Sequence, residues 1–315
     1  MPEEGDMGSI TERVRRRSGV LLGATTFAAA FTALTGTAPG PRRRASRWAL
    51  WTVATLGVAV AANDLAGKPV PVLRWSVLRI SLGMKHLLTE WQVGDGREEA
   101  LAKYVCTHAR PGDIDDAIRV IDDFCHHRSV LINIGDEKGL ILDQVVRSTR
   151  PRRLLELGTY CGYSALRMAR VMPPGGRLYS VEFNPANAEI ARRIWDHAGV
   201  GERVSVVVGT LGDGGATLRR LRDEHGFTDG GLDFVFLDHD KGAYVHDLER
   251  IRALDWLRIG AVVVADNVGF PGVPAYRDYM REREGREWRT TVHATHAAYQ
   301  KLVKDVVLVS EYLGG

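Results

Sequence analysis

Residues 152–172 read RRLLELGTYCGYSALRMARVM and join an apolar run to a helical pattern through two glycines. The run at 152–158 predicts a buried strand, and the residues after the glycines repeat apolar side chains at helical spacing. Further apolar runs, each separated from the next by a helical stretch, lie at residues 176–183, 203–209, 232–238 and 260–267. Such near-continuous Val, Leu and Phe runs indicate a parallel sheet covered on both faces, so we predict a doubly wound α/β fold.

Helical and extended patterns also flank these five runs. Three helical stretches precede them, at Arg97–His108, Asp113–Arg128 and Asp136–Ser148. Two final runs, residues 288–298 and 304–313, predict closing strands in hairpin order. We therefore expect a seven-stranded, mostly parallel sheet that ends in a C-terminal antiparallel hairpin.

The composition is that of an ordinary globular protein, with 45% hydrophobic and 26% charged residues over 315 positions. A net charge of +3 is too small to indicate nucleic-acid binding. Residues 1–50 hold eight Arg against four acidic residues, which leaves −1 for the rest of the chain. The three cysteines form no CxxC pair, which argues against a disulfide framework or a zinc site and for a reducing compartment, although one Cys106–Cys125 bridge stays open.

The N-terminal region carries two uncharged stretches, residues 19–38 and 48–62, on either side of an Arg-rich segment. The first has about the 20 residues that a helix needs to cross a bilayer, and the second opens with a pair of Trp that suit a membrane interface. Three interpretations stay open. The stretches form a helical hairpin in the membrane, or one anchor followed by an interfacial helix, or Ala-rich helices that pack on the soluble body or are cleaved as a targeting segment.

Residues 69–90 place apolar side chains at helical spacing, with Arg74, Arg79 and Lys85 between them. A basic amphipathic helix of this kind can lie on an anionic membrane surface or pack on its own domain. We divide the chain into four parts: a basic tail (1–18), a hydrophobic helical hairpin or membrane anchor (19–66), an amphipathic connector (67–94) and a catalytic-looking domain (95–315).

Ligands of doubly wound sheets bind beyond the carboxyl ends of the strands. The first predicted strand ends with Glu156, followed by Gly158 and Gly162, which let the backbone turn tightly beside a ligand. The spacing is not GxGxxG, and an acid in the turn repels a pyrophosphate. Glu182 ends the second strand, where an acid can accept hydrogen bonds from a ribose. These features favour a nucleoside without phosphates, such as S-adenosylmethionine, over a dinucleotide, with a structural role for Glu156 as the alternative.

Acidic residues also end the fourth and fifth predicted strands. Asp238 ends one, and Asp266 with Asn267 ends the other. Consecutive strands in this topology are usually neighbours, so the three side chains can converge. A set of oxygen donors indicates a hard cation, and the small number of protein ligands favours Mg²⁺ over Ca²⁺. The alternative is that the strand-end Asp residues cap the helices that follow them.

Lys241 follows Asp238 by three residues, at the start of a predicted helix. The helix N-terminus and a nearby dication both disfavour a protonated ammonium group. Lys241 can therefore act as a general base at neutral pH. A solvated lysine on a loop is the alternative interpretation.

Six motifs of the body resemble, in the same order, those of the Mg²⁺-dependent catechol O-methyltransferases, which are class I methyltransferases that use S-adenosylmethionine. A hydrophobic segment ahead of the body also resembles the membrane-bound form of that family. The resemblance implies a Rossmann-like class I methyltransferase fold for residues 95–315. Its motifs are NIGDEKG (133–139), LLELGTYCGYSALRMAR (154–170), VEFNP (181–185), VVVG (206–209), VFLDHDK (235–241) and ADNVGFPG (265–272).

The resemblance also implies roles for individual residues. Asp238, Asp266 and Asn267 would bind the metal, and Lys241 would be the general base for the in-line attack of a phenolate on the sulfonium methyl group. Pro271 would line the substrate pocket together with Asp238, Lys241 and Asn267. The cofactor would lie against a larger set that includes Glu182 as the ribose ligand: Ile134, Glu156, Gly158, Tyr160, Ser164, Glu182, Asp238 and His239.

Three positions depart from the family, all on the substrate side. The family has Trp where this chain has Asp240, and a second Trp where it has Val130. An alignment by eye puts Ala298 where the family has a Glu that binds the second hydroxyl. The resemblance thus implies intact cofactor and metal machinery with an altered catechol pocket, in which Asp240 either favours a cationic amine substrate or widens the space.

We therefore expect a membrane-associated O-methyltransferase that uses S-adenosylmethionine and Mg²⁺ to methylate a small catechol-like phenol. One alternative keeps the enzyme and replaces the substrate by a larger phenylpropanoid phenol. The other is a non-catalytic, methyltransferase-like scaffold that binds a membrane partner. Neither the oligomeric state nor the organelle follows from the sequence.

Overall fold

A computed structural model of the protein describes residues 54–66, 74–82 and 92–315. They belong to two units that divide between Trp75 and Ser76. The first contains a helix at 54–65. Most of the proposed membrane segment and connector lies outside the described residues. Within the described part, no helix has the length and apolar character to span a membrane.

Strands and helices alternate between Arg153 and Glu282, as the apolar runs predict. The strands are β1 Arg153–Leu157, β2 Arg177–Glu182, β3 Val204–Val208, β4 Leu232–Leu237, β5 Leu257–Ala265, β6 Trp288–Ala297 and β7 Gln300–Tyr312. The α-helices from Trp75 onward in the described residues are α1 Trp75–Leu82, α2 Arg97–His108, α3 Ile114–His127, α4 Gly135–Thr149, α5 Tyr163–Val171, α6 Pro185–His197, α7 Ala216–Asp223, α8 Tyr244–Ala253 and α9 Pro274–Glu282.

The strands form one seven-stranded sheet in the order β3-β2-β1-β4-β5-β7-β6. Strands β1 to β5 run parallel, while β7 is antiparallel to both β5 and β6. The predicted fold class, with its C-terminal antiparallel hairpin, is confirmed. The hairpin folds back so that its second strand, β7, lies between β5 and β6. This order brings residues of β7 next to the end of β5.

Both faces of the central strands β1 and β4 are buried. Along β1 the side chains alternate between two hydrophobic clusters: Leu154 belongs to one, while Leu155 and Leu157 belong to the other. Glu156 has the same parity as Leu154 and lies opposite Ser180 of β2. A carboxyl group therefore lies on an otherwise apolar face, where it needs polar partners.

Local signals explain where several helices begin. The Asp113 carboxylate accepts a hydrogen bond from the backbone N–H of Asp116 at 2.9 Å, at the start of α3. The Asn184 side chain accepts one from the N–H of Ala186 at 2.8 Å, with Pro185 in the first turn of α6. Both residues satisfy backbone donors that the helix itself leaves without partners.

Candidate active site

The carboxyl ends of β1, β4 and β5 form the edge of the sheet at which sequence analysis expects a ligand. Strands β1 and β4 are neighbours, although β2 and β3 lie between them in sequence. Ligands of open α/β sheets bind where the strand order reverses in this way. Leu237 of β4 pairs with Ala265 of β5, so Asp238 and Asp266 both follow paired residues. Because paired strands lie about 4.8 Å apart, the two aspartates leave the sheet side by side.

Lys241 lies directly against this edge. Its Nζ donates hydrogen bonds to Oδ1 of Asp238 at 2.9 Å and to the hydroxyl of Tyr244 at 2.7 Å. Its side chain is 18% exposed, so the amine is sheltered from water but still accessible. The structure thus brings together two predicted residues, Asp238 and Lys241, in a partly buried ion pair.

Tyr244 was missed by sequence analysis, although it lies three residues after Lys241. Its buried hydroxyl donates to the carbonyl oxygen of Leu237 at 2.9 Å and lies 3.2 Å from the carbonyl oxygen of Asp266. Burial raises the pKa of Tyr244 well above its ordinary value, so the hydroxyl stays protonated. Tyr244 therefore links the ends of β4 and β5 and fixes Lys241 above them.

The His239 ring is oriented by two contacts on the protein side. Its Nε2 lies 3.0 Å from Oδ2 of Asp247, and the ring stacks on Tyr244 with centroids 5.0 Å apart. Its Nδ1 is buried without a hydrogen-bond partner among the described residues. The predicted cofactor contact of His239 stays a prediction, and a ligand with a donor or acceptor group at this point would satisfy Nδ1.

Asp266 and Asn267 are held by two residues that the sequence analysis did not select, Lys138 and Asp305. The Lys138 ammonium group donates to Oδ2 of Asp266 at 2.7 Å and to Oδ2 of Asp305 at 3.1 Å. The Asn267 amide nitrogen donates to Oδ2 of Asp305 at 3.0 Å. Lys138 lies in one of the motifs that carry the family resemblance. It is 128 residues from Asp266 in sequence, so no local pattern indicated the contact.

The charges of Lys138 and its acidic neighbours affect one another's pKa values. Burial disfavours the ammonium form of Lys138, but Asp266, Asp305 and Asp238 outweigh it and raise the pKa of Lys138. Burial raises the pKa of Asp266 and the Lys138 charge opposes the shift, whereas the nearby Asp238 charge adds to it. A cation beside Asp238 and Asp266 would relieve this repulsion.

The residues present fit a hard divalent cation. Oδ1 of Asp266 is buried and has no hydrogen-bond partner among the described residues. Asp238, Asp266 and Asn267 offer carboxylate and amide oxygens, which Mg²⁺ and Ca²⁺ prefer. In the described part of the chain no three His, Cys, Asp or Glu side chains gather into a metal-binding group, so the fit depends on the amide oxygen of Asn267.

The turn after β1 lies against the same edge. Gly158 has φ 98°, and a Cβ atom on it would lie 2.4 Å from the carbonyl oxygen of Asp238 and 3.0 Å from the backbone nitrogen of His239. Only glycine tolerates both the left-handed backbone and this approach. The glycine therefore sets how close the first strand end comes to the Asp238 segment.

Glu182 holds this turn against β2. Its carboxylate accepts hydrogen bonds from the backbone N–H groups of Tyr160 at 2.8 Å, Thr159 at 3.2 Å and Asn184 at 2.9 Å. Burial raises its pKa, and these donors oppose the shift. A carboxylate has about four acceptor sites, so most of its capacity is used within the protein. The ribose role of Glu182 stays a prediction.

Tyr160 lies in this turn, and Ile134 belongs to the same hydrophobic cluster as Tyr160. The Tyr160 hydroxyl donates to Oε1 of Glu98 at 2.7 Å, and Glu98 in turn accepts from the N–H of Val93 at 2.9 Å. Ile134 is buried and directly precedes α4. Their predicted contacts with the cofactor stay predictions.

Glu156 is fully buried and hydrogen-bonded to the hydroxyls of Ser164 and Ser180. Burial, reinforced by the neighbouring charges of Asp238 and Glu182, raises the pKa of Glu156 to about 8. Ser164, another predicted cofactor residue, thus has Glu156 as its partner. This arrangement favours the alternative that Glu156 shapes the turn from inside the sheet.

We expect Glu156→Gln to stabilise the protein increasingly as pH rises. The folded-state pKa of about 8 lies above the ordinary value of 4.5, so Glu156 contributes stability below pH 4.5 that is lost as pH rises through 8. Glutamine keeps the neutral form at every pH. Urea unfolding from pH 5 to 9 should give a difference that grows to the order of a few kcal/mol. Exposed Glu189→Gln is the control, and a pH-independent difference for Glu156→Gln would contradict the prediction.

The substrate-side positions are less closely connected to this edge. Pro271 is exposed within the segment Val268–Gly272, where the Phe270–Pro271 peptide is cis. Asp240 is exposed, and its Oδ1 accepts the N–H of Gly242 at 3.0 Å. Val130 is buried, and its carbonyl oxygen accepts from the Arg97 guanidinium.

Ala298 lies in the turn between β6 and β7. A Cβ atom on Gly135 would lie 2.9 Å from the Cα atom of Ala298, so the β6–β7 turn packs against the start of α4. None of the three cysteines, Cys106, Cys125 and Cys161, forms a disulfide in the described structure, so the Cys106–Cys125 bridge is absent there.

Comparisons with known proteins agree with the fold and identify the family. A family model described as O-methyltransferase matches residues 119–297. The Mycobacterium tuberculosis protein described as "Probable O-methyltransferase Rv1703c" is 57% identical over 235 residues, which cover 75% of this chain and 100% of the relative. "Catechol O-methyltransferase B" of Danio rerio is 42% identical over 218 residues, 69% of this chain and 80% of the relative.

A solved structure shares the fold. The crystal structure of cofactor-bound Rv0187 from MTB has a TM-score of 0.50 and 27% identity, covering 74% of this chain and 97% of that chain. The family match, the relatives and the sheet order agree on one conclusion. The chain belongs to the O-methyltransferase family and is an S-adenosylmethionine-dependent O-methyltransferase.

Proposed function

We propose that this O-methyltransferase transfers a methyl group from S-adenosylmethionine to one hydroxyl of a catechol-like substrate, with Mg²⁺ at Asp238, Asp266 and Asn267. Lys241 is the general base. The observation that carries the proposal is the buried Oδ1 of Asp266, which has no partner among the described residues, at the edge where Lys241 is fixed. An unpaired buried carboxylate oxygen is costly, so it favours a cation ligand.

The side chains around Lys241 suit proton transfer from a phenol. Asp238 and Tyr244 hold the amine at two fixed distances, 2.9 and 2.7 Å, so its position is set before the substrate arrives. When bound, Mg²⁺ would hold the vicinal oxygens and favour loss of a phenolic proton. Lys241, as the neutral amine, takes that proton. The phenolate oxygen then attacks the sulfonium methyl in line, so that the O–CH3 bond forms as the S–CH3 bond breaks and S-adenosylhomocysteine leaves. Positioning of the two reactants supplies much of the rate.

Relatives support the substrate class. A relative with 42% identity over 218 residues is named "Catechol O-methyltransferase B". Membership of the O-methyltransferase family favours an enzyme over the non-catalytic scaffold. Asp240 is the substrate-side residue whose exposed carboxylate would favour a catechol that carries a cationic amine.

The test is methyl transfer by the full-length protein from S-adenosylmethionine to a panel of phenols, with Mg²⁺ or with EDTA. We expect methylation of catechols, a fall of at least about tenfold in EDTA, and recovery when Mg²⁺ is added back. The panel contains plain catechol, a catechol with an alkylammonium group, a dihydroxycinnamate and a phenol with a single hydroxyl. Activity that survives chelation, or equal rates on the single-hydroxyl phenol, would contradict the proposal. Preference for the dihydroxycinnamate would favour the phenylpropanoid alternative.

We also propose that the N-terminal region associates the enzyme with a membrane, as its uncharged stretches predict. The expected result is that the full chain sediments with membranes and is released by detergent. Recovery of the full chain in the supernatant without detergent would contradict this proposal.

A further inference from the structure

Two buried charged residues, Lys138 and Asp305, have no role in the proposed reaction. Lys138 belongs to α4 and is 1% exposed, and Asp305 belongs to β7 and is 2% exposed. Burying either charge costs several kcal/mol unless it is paired and hydrogen-bonded. Both residues contact predicted metal ligands, so the reason for burying these two charges can be sought at the metal site.

Lys138 acts on one oxygen of Asp266. Its ammonium group lies 2.7 Å from Oδ2 of Asp266, while Oδ1 of the same carboxylate is buried without a partner in the described structure. The protein therefore hydrogen-bonds one oxygen of this carboxylate and leaves the other for a ligand. A cation at Oδ1 binds a carboxylate whose second oxygen is already occupied.

Asp305 acts on the amide of Asn267. Its Oδ2 accepts from the Asn267 side-chain nitrogen at 3.0 Å and from Lys138 at 3.1 Å. Because the amide nitrogen points to Asp305, the amide oxygen of Asn267 points away from it. Oxygen is the atom of the amide that a hard cation accepts, so this hydrogen bond selects the correct orientation.

The other oxygen of Asp305 holds the loop after Asn267. Its Oδ1 accepts from the backbone N–H groups of Gly269 at 3.2 Å, Phe270 at 2.8 Å and Val306 at 2.7 Å. Asp305 thus connects Lys138, Asn267 and the loop that contains Pro271.

A purely structural ion pair elsewhere in the chain provides a comparison. Asp143 is 2% exposed and pairs with Arg167, which is 3% exposed. Both of its oxygens are used: Oδ1 accepts from Nε of Arg167 at 3.1 Å, and Oδ2 accepts from its Nη2 at 2.6 Å. Asp266 differs because one oxygen has been left without a partner, which a structural ion pair does not require.

We propose that Lys138 and Asp305 are positioning residues of the metal site, which make Asp266 and Asn267 each present one oxygen to a divalent cation. This inference rests on the proposed function, because it needs a cation at Asp266. Single-oxygen coordination suits the octahedral Mg²⁺ ion, whereas the larger Ca²⁺ ion readily takes both oxygens of a carboxylate. Lys138 therefore favours Mg²⁺ over Ca²⁺ by keeping Oδ2 of Asp266 occupied.

The first test is Lys138→Met, measured by calorimetric titration of the full-length protein with Mg²⁺ and Ca²⁺ in saturating S-adenosylhomocysteine. Methionine keeps the length and apolar stem of the side chain but frees Oδ2 of Asp266. We expect the affinity for Ca²⁺ relative to Mg²⁺ to rise by about tenfold or more, as for other residues that orient metal ligands.

The second variant, Asp305→Asn, tests the Asn267 orientation and keeps the inference testable if Lys138→Met does not fold. Its amide nitrogen would face the nitrogen of Asn267, so the Asn267 amide turns and offers nitrogen to the cation. We expect both ions to bind about 10- to 100-fold more weakly, with their ratio nearly unchanged.

Arg252→Met is the matched control. Arg252 bridges Glu249 at 2.9 Å and Glu287 at 2.7 Å, away from the strand-end edge, and its loss also removes a cation with two carboxylate partners. It should lower the thermal unfolding temperature without changing affinity for either ion. An unchanged ratio of Ca²⁺ to Mg²⁺ affinity in Lys138→Met, or unchanged affinity for both ions in Asp305→Asn, would overturn the inference. If the wild-type protein still binds the ions, the proposed function is not contradicted by these results. No saturable binding of either ion by the wild-type protein would overturn both.

Discussion

Lys241→Met should lower kcat by about 10²- to 10⁴-fold, because it removes the group that takes the phenolic proton. Binding of S-adenosylhomocysteine should change by less than about twofold, since the variant keeps the glycine turn and Glu182. Tyr244 should stay in place, because its hydroxyl also donates to the Leu237 carbonyl oxygen at 2.9 Å. The measurement is steady-state kinetics with the best phenol of the panel, together with calorimetric binding of S-adenosylhomocysteine.

Lys103→Met is the control for this variant, because Lys103 is an exposed lysine of α2. It should keep the wild-type kcat. The rate of Lys241→Met should also recover partly at high pH, where the phenol loses its proton without help. A kcat within threefold of wild type would contradict the assignment of Lys241 as the general base.

Gly158→Ala should remove cofactor binding and destabilise the protein by several kcal/mol. The added Cβ would lie 2.4 Å from the carbonyl oxygen of Asp238, and the backbone has φ 98°, where L side chains are strained. The left-handed backbone alone costs about 1–2 kcal/mol. The clash must also move either the turn or the Asp238 segment, so we expect the affinity for S-adenosylhomocysteine to fall more than about 100-fold.

Gly175→Ala separates the effect of backbone strain from the effect of the clash with Asp238. Gly175 also has a positive φ, of 79°, but a Cβ atom there meets nothing within 4 Å. Gly175→Ala should lower the free energy of unfolding by only about 1–2 kcal/mol, from the backbone strain, and should keep the wild-type affinity for the cofactor. Thermal unfolding and S-adenosylhomocysteine titration of both variants measure the difference. Equal affinities in the two variants would show that the approach of Gly158 to Asp238 does not matter for the site.

The strands and helices of the body could be predicted because their signals are local. The apolar run at 232–238 corresponds to β4, Leu232–Leu237, and the helical stretch Asp113–Arg128 corresponds to α3 with Asp113 as its capping residue. Parallel strands all end at one edge of a sheet, so the strand-end acids could also be grouped before the structure was known. Asp238 and Asp266 follow paired residues of neighbouring strands, as that argument requires.

The contacts of those acids could not be predicted in the same way. Sequence analysis treated Glu156 chiefly as a cofactor residue, yet its carboxyl lies between the hydroxyls of Ser164 and Ser180 within the sheet. Side-chain direction in a strand alternates, but which buried neighbour faces a given side chain depends on strand register. The register Glu156 opposite Ser180 is a property of the assembled sheet.

The sequence by itself determined the alternation of strands and helices, the fold class, and the set of oxygen donors and the lysine at the strand ends. Those features follow from apolar periodicity and from the common edge of parallel strands. Only the tertiary structure decided how the donors are held. Lys138 is 128 residues from Asp266 and 167 from Asp305, and they meet because β7 pairs with β5 while α4 packs beside β6. No local pattern records such a contact, because a buried charge selects its partner by proximity in the folded chain.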